Sequence, residues 1–334
     1  MDEVDEYIHE YIRKEGSVIE IVFLGTSASA PSIHRGLSAQ VVLYKDYRFL
    51  VDCGEGTQRQ ILRSGLGFKR LDKVLLTHGH LDHILGLGGL ISTFARWEAI
   101  EHIEIYGGSW ALERVHDLIY NVVLRGGEPS IKIDLIEVHP GVMLEDDTFE
   151  VIAFPVAHRG PSLGYLFRER PHRPFLNERA EALGVPWGPE RRQLVAGEPV
   201  KLADGRVIHP DDVLGPPRPG ACLAHVGDVG RTEGLVEAVR GADMLVIEAT
   251  YLRREADMAH RFAHLTAAQA ARLAQEAEVH RLVLTHVSRR YREAEILEEA
   301  QPIFPDTVVA HDFDHFRVLR RDVQREADDV RRET

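Results

Sequence analysis

The chain is 334 residues long, carries a formal net charge of −13 and is 44% hydrophobic, enough for one large domain or two small ones with a real core. The acidic balance speaks against a general nucleic-acid binder, whose phosphate contacts need Lys and Arg. No apolar run approaches the roughly 20 residues of a membrane span, and the acidic, polar stretch 1–16 is no signal peptide.

In chain order, residues 1–17 read as a charged segment, a short helix or frayed end. A strand is predicted at 18–24, followed by a small-residue turn at 25–31, and a hairpin at 41–44 and 47–51 around Lys45 and Asp46. Asp52-Cys53-Gly54-Glu55-Gly56-Thr57-Gln58 opens a helix near Thr57. An apolar strand, 74–76, enters the run Thr77-His78-Gly79-His80-Leu81-Asp82-His83, which leads into a helix reaching about Trp97. Strand 103–106, helix 110–121, and strands 131–138, 149–155 and 162–167 follow.

The composition shifts at 168–220, which holds nine of the 16 prolines and six glycines, with nine Lys/Arg against eight Asp/Glu. Proline removes backbone donors, so no regular layer of the core is expected there, and the segment reads as a projecting, flexible insertion. The core resumes with strand 222–226, helix 232–239 and strand 243–248. An amphipathic helix follows at 266–278 with Thr266 as N-cap. Strand 281–284, helix 293–300 and strand 308–310 complete it, and 317–334 reads as a charged, solvated helix. Cys53 and Cys222 have no metal-ligand spacing and read as reduced, buried thiols of a cytoplasmic protein.

The chemistry concentrates at His78, His80, Asp82 and His83, four ligand-type side chains within six positions. Imidazole and carboxylate suit zinc and similar borderline metals. In a strand–loop–helix corner, His78 and His80 can face one point, and Asp82 with His83 a second one nearby. Four further polar residues each end an apolar strand: His158, Asp228, Glu248 and His286. Strand ends on one sheet edge converge on a shared crevice.

The pattern His-x-His-x-Asp-His resembles the metallo-β-lactamase superfamily. That resemblance implies an α/β (α+β), four-layer αββα sandwich with a two-metal site. It assigns His78, His80 and His158 to one metal, Asp82, His83 and His286 to the other, and Asp228 to a bridge. Two divalent metals can activate water near neutral pH and clamp a phosphoryl oxygen, with Asp82 accepting the proton. No nucleophilic Ser or Cys is then required.

Phe23-Leu24-Gly25-Thr26, the 52–58 segment, Glu248-Ala249-Thr250, His264-Leu265-Thr266 and Leu284-Thr285-His286-Val287-Ser288-x-Arg290-Tyr291 narrow the resemblance to the ribonuclease Z family. It runs from about Val18 to Phe316. It implies a catalytic domain of 18–167 and 221–316, an inserted tRNA-binding arm at 168–220, and a charged tail at 317–334. The implied activity is removal of the 3′ trailer from precursor tRNA by a zinc-dependent homodimer. Two Zn²⁺ per subunit are implied, with Mn²⁺ or another divalent ion as substitutes. The products would be a tRNA 3′-hydroxyl and a trailer 5′-phosphate. His264 would donate the leaving-group proton, with Glu248 orienting it; the plain structural alternative is a helix-capping imidazole and a strand-end carboxylate.

Substrate contacts implied by the family fall on Arg35, Thr266 and Arg290, and in the arm on Trp187, Arg191, Arg192 and Lys201, with Arg206 nearby. For the arm's basic residues, solvated surface is the competing reading. The family's Pro-x-x-x-Arg-Asn loop, which reads the CCA end, here runs Pro31-Ser32-Ile33-His34-Arg35-Gly36 and ends in Gly. Two other function classes compete. One is a small-molecule phosphodiesterase or lactonase of the same superfamily, which would not need the arm. The other is an RNA-binding protein with a relic site, which would bind no metal.

Overall fold

The computed structural model describes residues 18–97 and 100–326. One sheet has eight strands. β1 (Ile19–Gly25), β2 (Ala39–Tyr44), β3 (Tyr47–Val51), β4 (Lys73–Leu75), β5 (His102–Gly107) and β6 (Lys132–Glu137) follow one another across it. The hairpin β2–β3 closes with Tyr44 opposite Tyr47. From β3 to β6 the strands are parallel, and parallel neighbours need crossover connections. The helices Thr57–Arg63, Leu87–Trp97 and Ser109–His116 lie in these crossovers and cover the outer face through Ile61, Leu87, Leu90, Phe94 and Leu112.

The second sheet has seven strands. β7 (Gly141–Glu145), β8 (Phe149–Ala157) and β9 (Pro161–Glu169) form one side, and β12 (Cys222–His225), β13 (Met244–Glu248), β14 (Arg281–Thr285) and β15 (Thr307–Val309) the other, in the order β15-β14-β13-β12-β9-β8-β7. Its outer face is covered by the helices Leu235–Val239, Ala267–Glu276 and Glu293–Ala300. The middle one buries Ala267, Ala270, Ala271 and Ala274, small side chains that let its backbone lie close to the sheet. Thr266 caps it in a capping box with Gln269.

Strand periodicity explains the layers. Along β1, Val22 and Leu24 join the helix-covered cluster, while Ile21 and Phe23 point the other way and are equally buried. Between the sheets Phe49 meets Phe167 at 5.5 Å. Polar groups there are paired: Gln40 Oε1 lies 3.0 Å from His225 Nε2, and the Tyr165 hydroxyl donates to Leu76 O at 2.6 Å. The result is the expected αββα sandwich. No helix among the described residues is long and apolar enough to cross a membrane.

The sequence reading errs at several elements. The solvated helix expected at 317–334 is instead, as far as Glu326, a hairpin of β16 (His315–Leu319) and β17 (Asp322–Arg325), which joins the first sheet beside β1. Phe316, Val318 and Val323 are buried there and alternate with charged residues, a period of two that the charge density masks. Residues 327–334, like 1–17, lie outside the described part. The helix expected from Thr232 begins at Leu235, because Gly234 at its N-cap holds φ 85°. β7 and the helix Ala256–Phe262 were not anticipated.

The hairpin has a titratable clasp. His315 Nε2 lies 2.6 Å from Glu20 and its Nδ1 3.3 Å from Glu326. Burial works against its charge, but the two carboxylates outweigh it and raise the imidazole to about 9. Its stabilisation is therefore complete below about pH 6.5 and lost as pH rises through about 9. Thermal melts at pH 6.5 and 9 should show a loss on the order of 1–3 kcal/mol that His315→Gln largely removes. An unchanged pH dependence in that variant would refute the assignment.

The described chain divides into two compact units. One comprises residues up to 145, 150–168 and from 221 onward; the other comprises 146–149 and 169–220. The smaller has its own core of Ala180, Val185, Leu194, Val200, Ile208 and Val213. The helices Asn177–Ala182, Pro189–Val195 and Pro210–Val213 and the short pair β10 (Val200–Lys201) and β11 (Val207–Ile208) surround it. Pro189 and Pro210 stand in the first turn of their helices, where no amide is needed.

Candidate metal centre and active site

The corner after β4 is built by close backbone packing. Cys53 N donates to His83 O at 2.7 Å and Gly86 N to Cys53 O at 2.9 Å. A Cβ on Gly86 would lie 2.1 Å from Gly54 O, so only glycine permits this approach. His80 is the N-cap of the short helix Leu81–Ile84, which puts Asp82 in its first turn. The remaining side chains arrive from strand ends: His158 after β8, Asp228 after β12, Glu248 at the end of β13 and His286 after β14.

These residues meet in three dimensions. Potential ligand atoms of His78, His80, His158 and Asp228 lie within 4.8 Å of one another, as do those of Asp82, His83 and His286. Asp228 Oδ2 lies 3.4 Å from His83 Nε2, 3.8 Å from His78 Nε2 and 3.9 Å from His158 Nε2, so it faces both groups.

The opposite ring nitrogens are tied down. Asp52 accepts from His83 Nδ1 at 2.6 Å, and Ala263 O accepts from His158 Nδ1 at 2.7 Å. The Thr77 hydroxyl donates to Asp52 and so accepts from His78 Nδ1; the Thr250 hydroxyl donates to His286 O and accepts from His286 Nδ1. Such partners fix the tautomer and aim the Nε2 lone pair inward.

Several features fit a divalent cation. His83 Nε2, Asp228 Oδ1 and His286 Nε2 are buried without hydrogen-bond partners, an arrangement that costs free energy unless something pairs with them. His80 Nδ1 lies 2.8 Å from His78 Nε2 and 3.4 Å from His158 Nε2; tetrahedral zinc with bonds of about 2.0–2.1 Å sets its nitrogens roughly 3.3 Å apart. Burial and the charge on His83 push His78 well below its usual value, and burial with His158 takes His80 to about 4, so both offer free lone pairs. His83 is the converse: burial opposes its charge, but Asp228 and Asp52 hold it well above normal, so this pocket favours positive charge at Nε2. Burial would raise Asp82, yet His286, whose Nε2 lies 3.5 Å from Asp82 Oδ2, and then the charge on His83 hold it below the usual carboxylate range. Ser29 N adds a bond to Asp82 Oδ2 at 3.1 Å.

Beside this cluster His264 Nδ1 donates to Glu248 Oε1 at 2.8 Å, and Glu248 also accepts from Val229 N at 2.7 Å. Burial would lower His264, but Glu248 and then Asp228 raise it to about 9, so it carries a proton at neutral pH. His264 also lies near Asp228 and His286, but its Nδ1 is taken by Glu248, which favours proton donation over metal ligation. His80, Asp82, His158, Asp228 and His264 line a cleft of about 360 Å³.

The residues expected to touch substrate divide. Arg290 lines the cleft, half-exposed and paired with Glu255 at 3.2 Å. Arg35 is turned inward: its Nη1 donates to Thr26 Oγ1 and Ala310 O, while Asp312 binds Gly36 N at 2.6 Å. It anchors the loop after β1. Thr266 is 2% exposed and occupied as a helix cap. Arg191, expected as a phosphate contact, is 7% exposed, stacked 3.7 Å from the Trp187 ring and bonded to Asn177 and Val185 O. It supports the small unit's core. Trp187, Arg192, Lys201 and Arg206 are exposed.

Sequence reasoning missed the supporting shell: Asp52, Thr77, Thr250 and Ser29. One signal is backbone strain that no sequence shows, since Asp52 and His286 hold φ of 58° and 49°, rare for residues with side chains.

A metallo-beta-lactamase superfamily model matches residues 35–165, and a beta-lactamase superfamily domain model matches 212–287. A ribonuclease Z of Bradyrhizobium diazoefficiens is 47% identical over 299 residues, spanning 89% of this chain and 99% of the relative. One from Listeria monocytogenes is 40% identical over 307 residues, spanning 90% and 99%. The crystal structure of human tRNase Z, short form, superposes with a TM-score of 0.62 at 26% identity, covering 89% of this chain and 98% of that one.

Proposed function

The chain belongs to the ribonuclease Z family of the metallo-β-lactamase superfamily, and on that premise we propose that it is a zinc-dependent endonuclease removing the 3′ trailer from precursor tRNA. The observation that carries the reading is the convergence of seven potential ligands in one cluster, four of which line the cleft, with the bonded pair Glu248–His264 beside them.

His78, His80 and His158 would hold one divalent cation, Asp82, His83 and His286 the other, with Asp228 between. Bound there, such ions supply Lewis-acid stabilisation of the phosphoryl oxygens and acidify a water toward neutral pH. Asp82, held ionised, would orient the attacking water and accept its proton as the water oxygen bonds to phosphorus. As the bond from phosphorus to the ribose 3′-oxygen breaks, protonated His264 gives that oxygen its proton. Glu248 aims His264 and balances its charge. The tRNA leaves with a 3′-hydroxyl and the trailer with a 5′-phosphate. The 169–220 unit, which exposes Trp187, Arg192, Lys201 and Arg206, would hold the body of the tRNA, in a homodimer that shares the task between subunits.

The test is incubation of a 3′-extended precursor tRNA with the purified protein and Zn²⁺ or Mn²⁺, followed by mapping of both product ends. A single cut next to the discriminator nucleotide, with the stated ends, is expected. Failure to cut, or a trailer ending in 5′-hydroxyl, would overturn the reading.

A further inference from the structure

Part of the cleft lining takes no part in that chemistry. It is formed by Arg159, just after His158, and by Tyr251, Met258 and Phe262, whose segment also carries His264. Ser29 and Asp82, joined by a bond from Ser29 N to Asp82 Oδ2 at 3.1 Å, line the same cleft. Arg159 is exposed but not loose: its Nη2 donates to Arg261 O at 2.7 Å, and its guanidinium sits 5.2 Å from the Phe262 ring centre. His158 is tied to the same segment through Ala263 O. An exposed guanidinium at the cleft, held by one nitrogen to a backbone carbonyl, keeps further donors for an anion.

The position of His264 sets the polarity of a bound strand. Its proton goes to the leaving 3′-oxygen, so the retained nucleotide that carries this oxygen must lie beside His264. Arg159, bonded to the segment that carries His264, is a cationic group within the same cleft for the chain upstream of that nucleotide. Met258 and Phe262, both partly buried, offer an adaptable apolar shelf of the kind that accepts a flat base without reading its identity.

The geometry points to a subsite for the last retained nucleotide of the tRNA, with Met258 and Phe262 beneath its base or ribose and Arg159 bonded to the phosphate on its 5′ side. This rests on the function proposed above.

The test uses precursor tRNA carrying one uncharged methylphosphonate at that linkage, cut by the full-length protein and by Arg159→Ala. On native substrate the variant should lose about tenfold in kcat/KM, the size of one hydrogen bond to a charged group. The methylphosphonate should cost the unaltered protein a similar factor. Combined, the two should cost little more than either alone, because both delete one contact. Arg159→Lys should restore part of the loss. Costs that multiply would mean that Arg159 acts structurally or elsewhere, and would overturn the subsite alone. A protein that hydrolyses bis(p-nitrophenyl) phosphate but cuts no precursor tRNA would overturn the function and the subsite with it.

Discussion

His264→Ala is expected to lower kcat on precursor tRNA by about 10²–10⁴-fold, the usual contribution of a general acid to expulsion of a poor leaving group. The ribose 3′-alkoxide is strongly basic and leaves badly without a proton. The imidazole that would supply it is bonded to buried Glu248 at 2.8 Å and raised to about 9, which favours the protonated form at neutral pH. The same variant should lose far less on bis(p-nitrophenyl) phosphate, whose phenolate departs unprotonated. Glu248→Gln should fall in the same direction, since it keeps the shape and removes the charge that holds the proton. A His264→Ala protein equally impaired on both substrates would show that the side chain maintains the cleft and does not donate.

The second large effect concerns the ligand cluster and is read without activity. Chelation should lower the melting temperature, and re-addition of Zn²⁺ should restore it. At free metal about 1,000-fold above Kd, binding adds about 4 kcal/mol, on the order of 10 °C for a protein of this size. The reason is the set of buried polar atoms without hydrogen-bond partners, His83 Nε2, His286 Nε2 and Asp228 Oδ1, which a cation would engage. Asp228→Asn should abolish most of this rise and lower the metal content measured by atomic emission, because Asp228 faces both groups. If the variant kept the full thermal response, the carboxylate would not be a shared ligand.

Much of the fold was legible because strands and helices advertise themselves by period. The 18–24 strand, the hairpin at Lys45 and Asp46 and the capped helix after Thr266 appear within a residue or two of their expected places. The hairpin at 315–325 did not, since its three buried apolar residues are diluted by arginines and aspartates whose charges dominate a short window.

The candidate site divides along the same line. The sequence by itself determined the run from His78 to His83, because ligands crowded at one turn are close whatever the rest of the chain does. It also determined which strand ends bear polar groups. Only the tertiary structure decided which arginines are available: Arg35 and Arg191 are bonded inside the protein, whereas Arg159, unremarkable in sequence, stands at the cleft. It likewise decided that Asp52, Thr77 and Thr250 aim the imidazoles. The physical reason is that a local ligand run needs only its neighbours in the chain, while the partner of a long polar side chain depends on atoms brought from far away.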